Sequence, residues 1–237
     1  MIGAEQSIAE NLARVREAIA SAAVRAGRNP EDVTLVGVSK TRPAESIVEA
    51  VRAGLRHVGE NRVQEATDKL PLVRQLLAGE RSPVFHMVGH LQTNKAGGAV
   101  GVFDRIDSVD SLKVAQALSR RLNTAQELSV LIEIYVGDDA ARPGVRPDAA
   151  VDTVGQVLEV PGLRVEGLMT VAPLQADARA AFSRVRNLKE TLSETFPRVN
   201  FGVLSMGMSD DYQLAIEEGS TEVRIGTALF GPRKPRT

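Results

Sequence analysis

The 237-residue sequence contains no cysteine and no tryptophan. Without thiols, disulfides, a thiolate nucleophile, a cysteinate metal site and an iron–sulfur cluster are excluded. Aromatic residues are scarce, six phenylalanines and two tyrosines, too few for the stacking platforms that bind single-stranded nucleic acid. No run approaches the roughly 20 apolar residues needed to span a bilayer. The opening segment, MIGAEQSIAENL, carries an acid at Glu5 and has no signal-peptide core. Net charge is nearly absent as well. Basic and acidic side chains number 29 and 30, leaving −1, which speaks against nucleic acid or an anionic membrane as the main partner. A soluble, cytoplasmic protein is expected, and its 43% hydrophobic content must build an aliphatic core.

Ile8, Leu12, Val15, Ile19 and Ala22 recur at helical spacing and predict a helix ending near Gly27. Strand-like runs follow at 33–40, 56–60, 84–91, 102–108, 128–136, 163–170, 201–209 and 222–231. Helical patterns lie between most of them, for example Leu112, Ala115, Leu118 and Leu122, or Phe182, Val185, Leu188 and Leu192. Eight β–α alternations in this length fit an α/β protein with one closed (β/α)8 TIM barrel, preceded by an extra helix. An open doubly wound sheet is the alternative. VGVSKTRP has the wrong glycine spacing for a dinucleotide fingerprint, however, and no Walker loop is present. One domain over 1–231 with a short basic tail, 232–237, is expected.

In such a barrel, chemistry gathers where strands end and βα loops begin. Lys40 closes the apolar run VTLVGVSK, which would put its amine in the barrel mouth as a Schiff-base nucleophile. A lysine snorkelling from a strand end is the plainer reading. Ser205, Gly226 and Thr227 offer hydroxyls and unobstructed backbone N–H groups suited to a phosphate dianion at the seventh and eighth strand ends. Simple turns would also use those glycines. Arg224 must be paired or exposed: it is either a donor inside the mouth or the partner of Glu222 or another strand's glutamate. Ser209 reads as the N-cap of the following helix, with Asp210 and Asp211 at its positive end. The three histidines show no metal-site spacing and no evident carboxylate partner, and His86 reads as an interior or pocket-lining residue. Glu133, an acid inside LIEIYV, needs a cation if it is buried.

VSKTRP (38–43), GENRVQEA (59–66), HMVGHLQTNK (86–95), EGLMTVAP (166–173) and LSMGMSDDYQLAIEEGSTEVRIGTALFG (204–231) strongly resemble the pyridoxal-phosphate homeostasis proteins, also called the proline-synthetase co-transcribed family. The resemblance runs in order along nearly the whole chain and implies a barrel of the alanine racemase N-terminal domain type. It implies that Lys40 forms a Schiff base with pyridoxal 5′-phosphate, that Arg224 faces the pyridine nitrogen, and that Ser205, Gly226 and Thr227 hold the phosphate. Asn61 would lie beside the cofactor, with His86, Met169 and Met206 around the pocket. The sequence departs from the family pattern at Tyr135 and Ala141-Arg142, where many members have an asparagine and a Ser-Lys pair. Phe85 stands where many have tryptophan.

The implied function is a non-catalytic holder of pyridoxal 5′-phosphate that contributes to cofactor homeostasis and amino-acid balance. Its expected partners are free amino acids and pyridoxal-phosphate-dependent apoenzymes, and a monomer is expected. A small amino-acid racemase or related enzyme is the alternative. An arginine at the ring nitrogen leaves that nitrogen neutral, whereas carbanion stabilisation is strongest when it is protonated. The chain also ends shortly after the eighth strand, without the second domain that supplies racemases with another base. An aldolase- or isomerase-like barrel lacking the cofactor would instead be colourless.

Overall fold

The computed structural model describes residues 7–139, 141–173 and 177–232. Helix α1 (Ile8–Arg25) starts at a reciprocal capping box: Glu10 N–H donates to Ser7 Oγ at 3.2 Å, and Ser7 N–H donates to Glu10 Oε2 at 2.9 Å. Eight parallel strands follow: β1 (Thr34–Val38), β2 (His57–Glu60), β3 (Val84–Met87), β4 (Arg105–Val109), β5 (Leu128–Ile134), β6 (Leu163–Thr170), β7 (Val203–Ser205) and β8 (Glu222–Ile225). They pair in sequence order, and β8 closes on β1. The helices between and after them are α2 (Ala44–Arg52), α3 (Val63–Leu76), α4 (Ala96–Val100), α5 (Leu112–Ser119), α6 (Ala150–Leu158), α7 (Ala178–Thr195), α8 (Tyr212–Glu217) and α9 (Thr227–Phe230). The chain is thus the expected eight-stranded (β/α) barrel with an additional N-terminal helix. Among the described residues no helix is long and apolar enough to cross a membrane.

Local expectations fail mainly at the strand ends. The run 222–231 is strand only as far as Ile225; the chain turns at Gly226 and Thr227–Phe230 forms one helical turn. Ser209 does not cap α8. That helix begins behind Asp211, whose carboxylate accepts the Met208 N–H at 2.6 Å. The basic tail beyond Pro232 and residues 174–176 of the loop after β6 lie outside the described residues.

Strand periodicity sends alternate residues to the two sides of the barrel wall. Ile106, Ile132, Leu168, Leu204, Val223 and Ile225 join one apolar core with the helices, each fully buried side chain of this size contributing about 1.5–3 kcal/mol. The inner wall is largely polar. Strand registers sort it into layers of four drawn from alternate strands, the arrangement expected of a closed barrel. His57, Arg105, Glu166 and Glu222 form the lowest of these, then Val36, His86, Leu131 and Ser205, then Gly59, Asp107, Met169 and Arg224. Val36, Leu131 and Met169 are buried yet stand apart from the outer core.

Charge pairing fills this interior. Arg105 donates to Asp107 Oδ1 at 2.7 Å and to Glu222 Oε1 at 2.6 Å. His86 Nδ1 lies 3.2 Å from Asp107 Oδ2, and its Nε2 lies 3.0 Å from His57 Nδ1. Burial alone would raise the Asp107 carboxyl, but Arg105 and His86 hold it well below the usual carboxylate range. The same burial would lower the Arg105 guanidinium, which Asp107 and Glu222 instead raise. Burial and the neighbouring His86 and Arg105 bring His57 down to about 4, so this ring is neutral at pH 7. The sequence-based expectation for the histidines is therefore corrected. His86 has Asp107, His90 has Asp110 at 3.1 Å, and His57 adjoins His86. His86, Asp107 and Glu222 converge within 4.8 Å, and the cation among them is the Arg105 guanidinium.

Arg105→Met would leave two buried carboxylates without their cation. Chemical denaturation is expected to show a loss of about 3–5 kcal/mol. A loss under about 1 kcal/mol, as for exposed ion pairs, would contradict a desolvated network.

Candidate functional site

Lys40 lies two residues beyond β1, half-buried, in a turn closed by the Arg42 N–H to Ser39 O bond of 2.9 Å. Ser39 is fully buried beneath it; its N–H donates to Gly59 O at 2.9 Å and its hydroxyl to Glu60 Oε1 at 2.5 Å. Because β1 sits between β2 and β8, the Lys40 turn is flanked by the turns that leave those two strands. On the β2 side is Asn61, whose buried Oδ1 has no hydrogen-bond partner among the described residues. A Cβ on Gly89 would lie 2.3 Å from the Asn61 carbonyl oxygen. The glycine of HMVGHL is therefore required by the GEN turn packed against it.

On the β8 side are Gly226 and Thr227. A Cβ on Gly226 would meet the Val38 carbonyl oxygen at 3.3 Å, which sets this turn against the last residue of β1. Arg224 is buried in the layer below. It donates from Nη1 to Ser205 Oγ at 2.7 Å and from Nη2 to the Thr170 carbonyl at 2.8 Å. Burial draws its guanidinium below the ordinary value, opposed by Glu222, Asp107, Glu133 and Asp211. The alternative pairing with Glu222 does not occur, since Glu222 is taken by Arg105. Accepting from Arg224 leaves the Ser205 O–H able to donate elsewhere.

Met169 shares the Arg224 layer, abreast of Ser205 on one side and Glu133 on the other. Met206 is buried, and its N–H donates to Glu222 O at 3.0 Å. Gly207 follows with φ +96°, and a Cβ there would come within 2.6 Å of Ala215, so the SMGMS turn needs glycine on both conformational and steric grounds. Lys40, Asn61, Met169, Ser205, Met206, Arg224, Gly226 and Thr227 thus gather at the C-terminal end of the barrel. His86 shares the Ser205 layer beneath Arg224, with both ring nitrogens engaged by His57 and Asp107.

Glu133 faces inward near the top of β5. Its Oε2 is buried and has no hydrogen-bond partner among the described residues. Burial and Asp110 push its carboxyl up to about 7, against the pull of Arg224 and His90. The cation demanded by an acid in this strand is present only at longer range. One of the sequence departures, Phe85, falls outside the mouth, and another, Tyr135, directly follows β5. Phe85 is buried on the outer wall under the Arg74 guanidinium. Tyr135 packs its ring under Arg146 at 4.5 Å, and Arg146 donates to the Gly137 and Asp139 carbonyls. The residues that sequence reasoning missed are Arg105, Asp107 and Lys69. Alternating charge in RIDSV was a signal for the first two, whereas nothing local distinguished Lys69 from other helix lysines.

Comparison with known proteins adds a second line of observation. Residues 5–234 match the family model described as the N-terminal domain of alanine racemase. The pyridoxal phosphate homeostasis protein of Escherichia coli K12 is 40% identical over 230 residues, covering 95% of this chain and 97% of its own. The chain belongs to the pyridoxal phosphate homeostasis protein family. A solved family member, PipY of Synechococcus elongatus with PLP bound, superposes with a TM-score of 0.81 at 36% identity, covering 95% of this chain and 100% of that one. An alanine racemase of Clostridium difficile 630 shares 14% identity, a TM-score of 0.66 and only 57% of its own length. That likeness concerns the fold alone.

The raised Glu133 pKa has a stability consequence. Between its ordinary 4.5 and about 7, the native state keeps a proton that the unfolded chain releases, so stability falls as pH rises through that window. Glu133→Gln is expected to stabilise the ligand-free protein by on the order of 2 kcal/mol at pH 8 and hardly at all at pH 4.5. Urea midpoints at the two pH values check this, and an equal gain at both would refute it.

Proposed function

We propose that the chain holds pyridoxal 5′-phosphate in the barrel mouth through Lys40 and serves as a holder of the cofactor, not as a high-turnover enzyme. The observation that carries this reading is Arg224, locked on Ser205 and Thr170 among turns that present Lys40, Asn61, Gly226 and Thr227. The residues fit the group. The orphaned oxygens of Asn61 and Glu133 want a polar ligand, and the turn at Gly226, packed against Val38, is of the kind whose backbone N–H groups bind anions. PipY, a relative at 36% identity, has been solved with PLP bound.

When bound, the cofactor supplies an aldehyde carbon open to an amine and a dianionic phosphate. Lys40 offers the amine for a reversible covalent bond. Ser205, Gly226 and Thr227 would hold the phosphate by hydroxyl and backbone donors. Arg224 would face the ring nitrogen and would keep its own proton, because a guanidinium does not give it up. Met169 keeps water from the floor of the mouth, whereas Met206 packs outward in the core shared with the helices. His86 supports this floor from below. Free amino acids and pyridoxal-phosphate-dependent apoenzymes are the recipients, and the chain acts as a monomer. Glu133, whose carboxyl titrates at about 7, favours a second reading in which the site also moves protons on a bound amino acid, at a low rate.

Borohydride reduction of protein saturated with pyridoxal 5′-phosphate, followed by peptide mapping, is expected to label Lys40; a label on another lysine, or none, would sink the assignment. The same preparation incubated with D- and L-amino acids separates the two readings, because racemisation lost in Lys40→Ala would establish an enzyme. Ser205→Ala and Thr227→Val are each expected to weaken pyridoxal 5′-phosphate binding about tenfold and leave pyridoxal binding nearly unchanged. Equal weakening of both ligands would contradict a phosphate role.

A further inference from the structure

Thr41, immediately after Lys40, has φ +65°. Among the described residues it is the non-glycine residue with positive φ, and it is β-branched, the class least tolerant of that conformation. Strain of this kind persists only where the surroundings enforce it. Here the enforcement comes from α3. Lys69 Nζ donates to the Ser39 carbonyl at 3.0 Å and to the Arg42 carbonyl at 3.0 Å. It also contacts Glu60 Oε1 at 2.6 Å and Glu65 Oε1 at 2.9 Å. The Glu65 carboxylate accepts the Thr41 N–H at 2.5 Å. These backbone groups all belong to residues within two positions of Lys40.

An i,i+4 Glu–Lys pair on a helix is ordinarily a surface stabiliser of a few tenths of a kcal/mol. This pair is built differently. The Lys69 side chain is 9% exposed and Glu60 is wholly buried, so its ammonium is desolvated and its donors are spent on loop carbonyls instead of water. Burial raises the Glu60 carboxyl, with Lys69 and Ser39 opposing that rise. The far side of the turn is tied down too, since the Arg42 guanidinium bonds the Gly231 carbonyl and the Pro232 carbonyl beyond α9.

We propose that Lys69, together with Glu60 and Glu65, is the positioning group for Lys40: the buried ion cluster grips the backbone on both sides of that residue and holds its turn strained, so that the amine is presented in one orientation. The inference rests on the reading of Lys40 as the cofactor-bearing residue. Lys69 touches no reacting atom. It acts through the turn, and holding a reactive group in one geometry is a large part of such a site's efficiency.

The test compares the parent protein with Lys69→Met and Glu65→Gln, each checked for native circular dichroism. Two properties are read: the pH profile of Lys40 acylation in ligand-free protein, followed by peptide mass mapping, and the affinity for pyridoxal 5′-phosphate. Lys69→Met is expected to shift the acylation profile and to weaken cofactor binding by about tenfold or more. A folded Lys69→Met protein with the parent's profile and affinity would overturn the proposal. If Lys69→Met does not fold, Glu65→Gln carries the test: a smaller change in the same direction supports it, and parental behaviour overturns it. Acylation needs no cofactor, so a parent protein that fails to trap pyridoxal 5′-phosphate at Lys40 would refute the functional reading separately.

Discussion

A guanidinium enclosed in a barrel keeps its charge, so the chain must bring carboxylates to it from strands far apart in sequence. Arg105 on β4 takes Asp107 from its own strand and Glu222 from β8, and Asp107 takes His86 from β3. These bonds cross the bore and fix which strands face each other. Desolvation makes the network unforgiving, because a partner out of place leaves a charge with neither water nor protein to satisfy it. Apolar driving force operates elsewhere, between the outer wall and the helices. The barrel is therefore held by hydrophobic burial outside and by charge complementarity inside.

The layered interior carries this order up to the mouth. Asp107 and Arg224 occupy one layer, and Ser205 and His86 the layer below it, so the salt-linked floor leads directly to the arginine proposed to face the cofactor. Glu222, two residues earlier on the same strand, is taken by the lower guanidinium. With its natural carboxylate committed, Arg224 bonds the neutral oxygens of Ser205 and Thr170 and keeps its positive charge for the mouth. Two arginines on facing strands thus have different partners, carboxylates for Arg105 and neutral oxygens for Arg224.

Two buried acids show how context sets the role of one residue type. Glu60 and Glu133 each hold one oxygen without a partner among the described residues, and both carboxyls are raised by burial. Glu60 has an ammonium at 2.6 Å and a serine hydroxyl, so it anchors a cluster that shapes the backbone around Lys40. Glu133 has no such contact among the described residues. The first acid is held by an ion pair, and the second is raised by burial and Asp110.

Strand and helix alternation, the extra first helix and the placing of Lys40, Ser205, Arg224 and Gly226 at strand ends were legible in the chain itself, because period-two and period-3.6 patterns are local properties. The family motifs carried the rest of the candidate site in the same way. Inward charges in RIDSV and EVRI were visible as alternation, but their pairing was not, since Arg105 and Glu222 are neighbours only once the eighth strand closes on the first. The same limit explains His86, which reads as a pocket residue until Asp107 and His57 claim both its nitrogens. It explains Lys69 as well, an ordinary helix lysine in sequence that becomes a buried clamp when α3 packs beside the Lys40 turn. Sequence determined the elements and the residues that end them. Tertiary structure alone decided which charges meet, because ion pairing depends on distances set by barrel closure and not by separation along the chain.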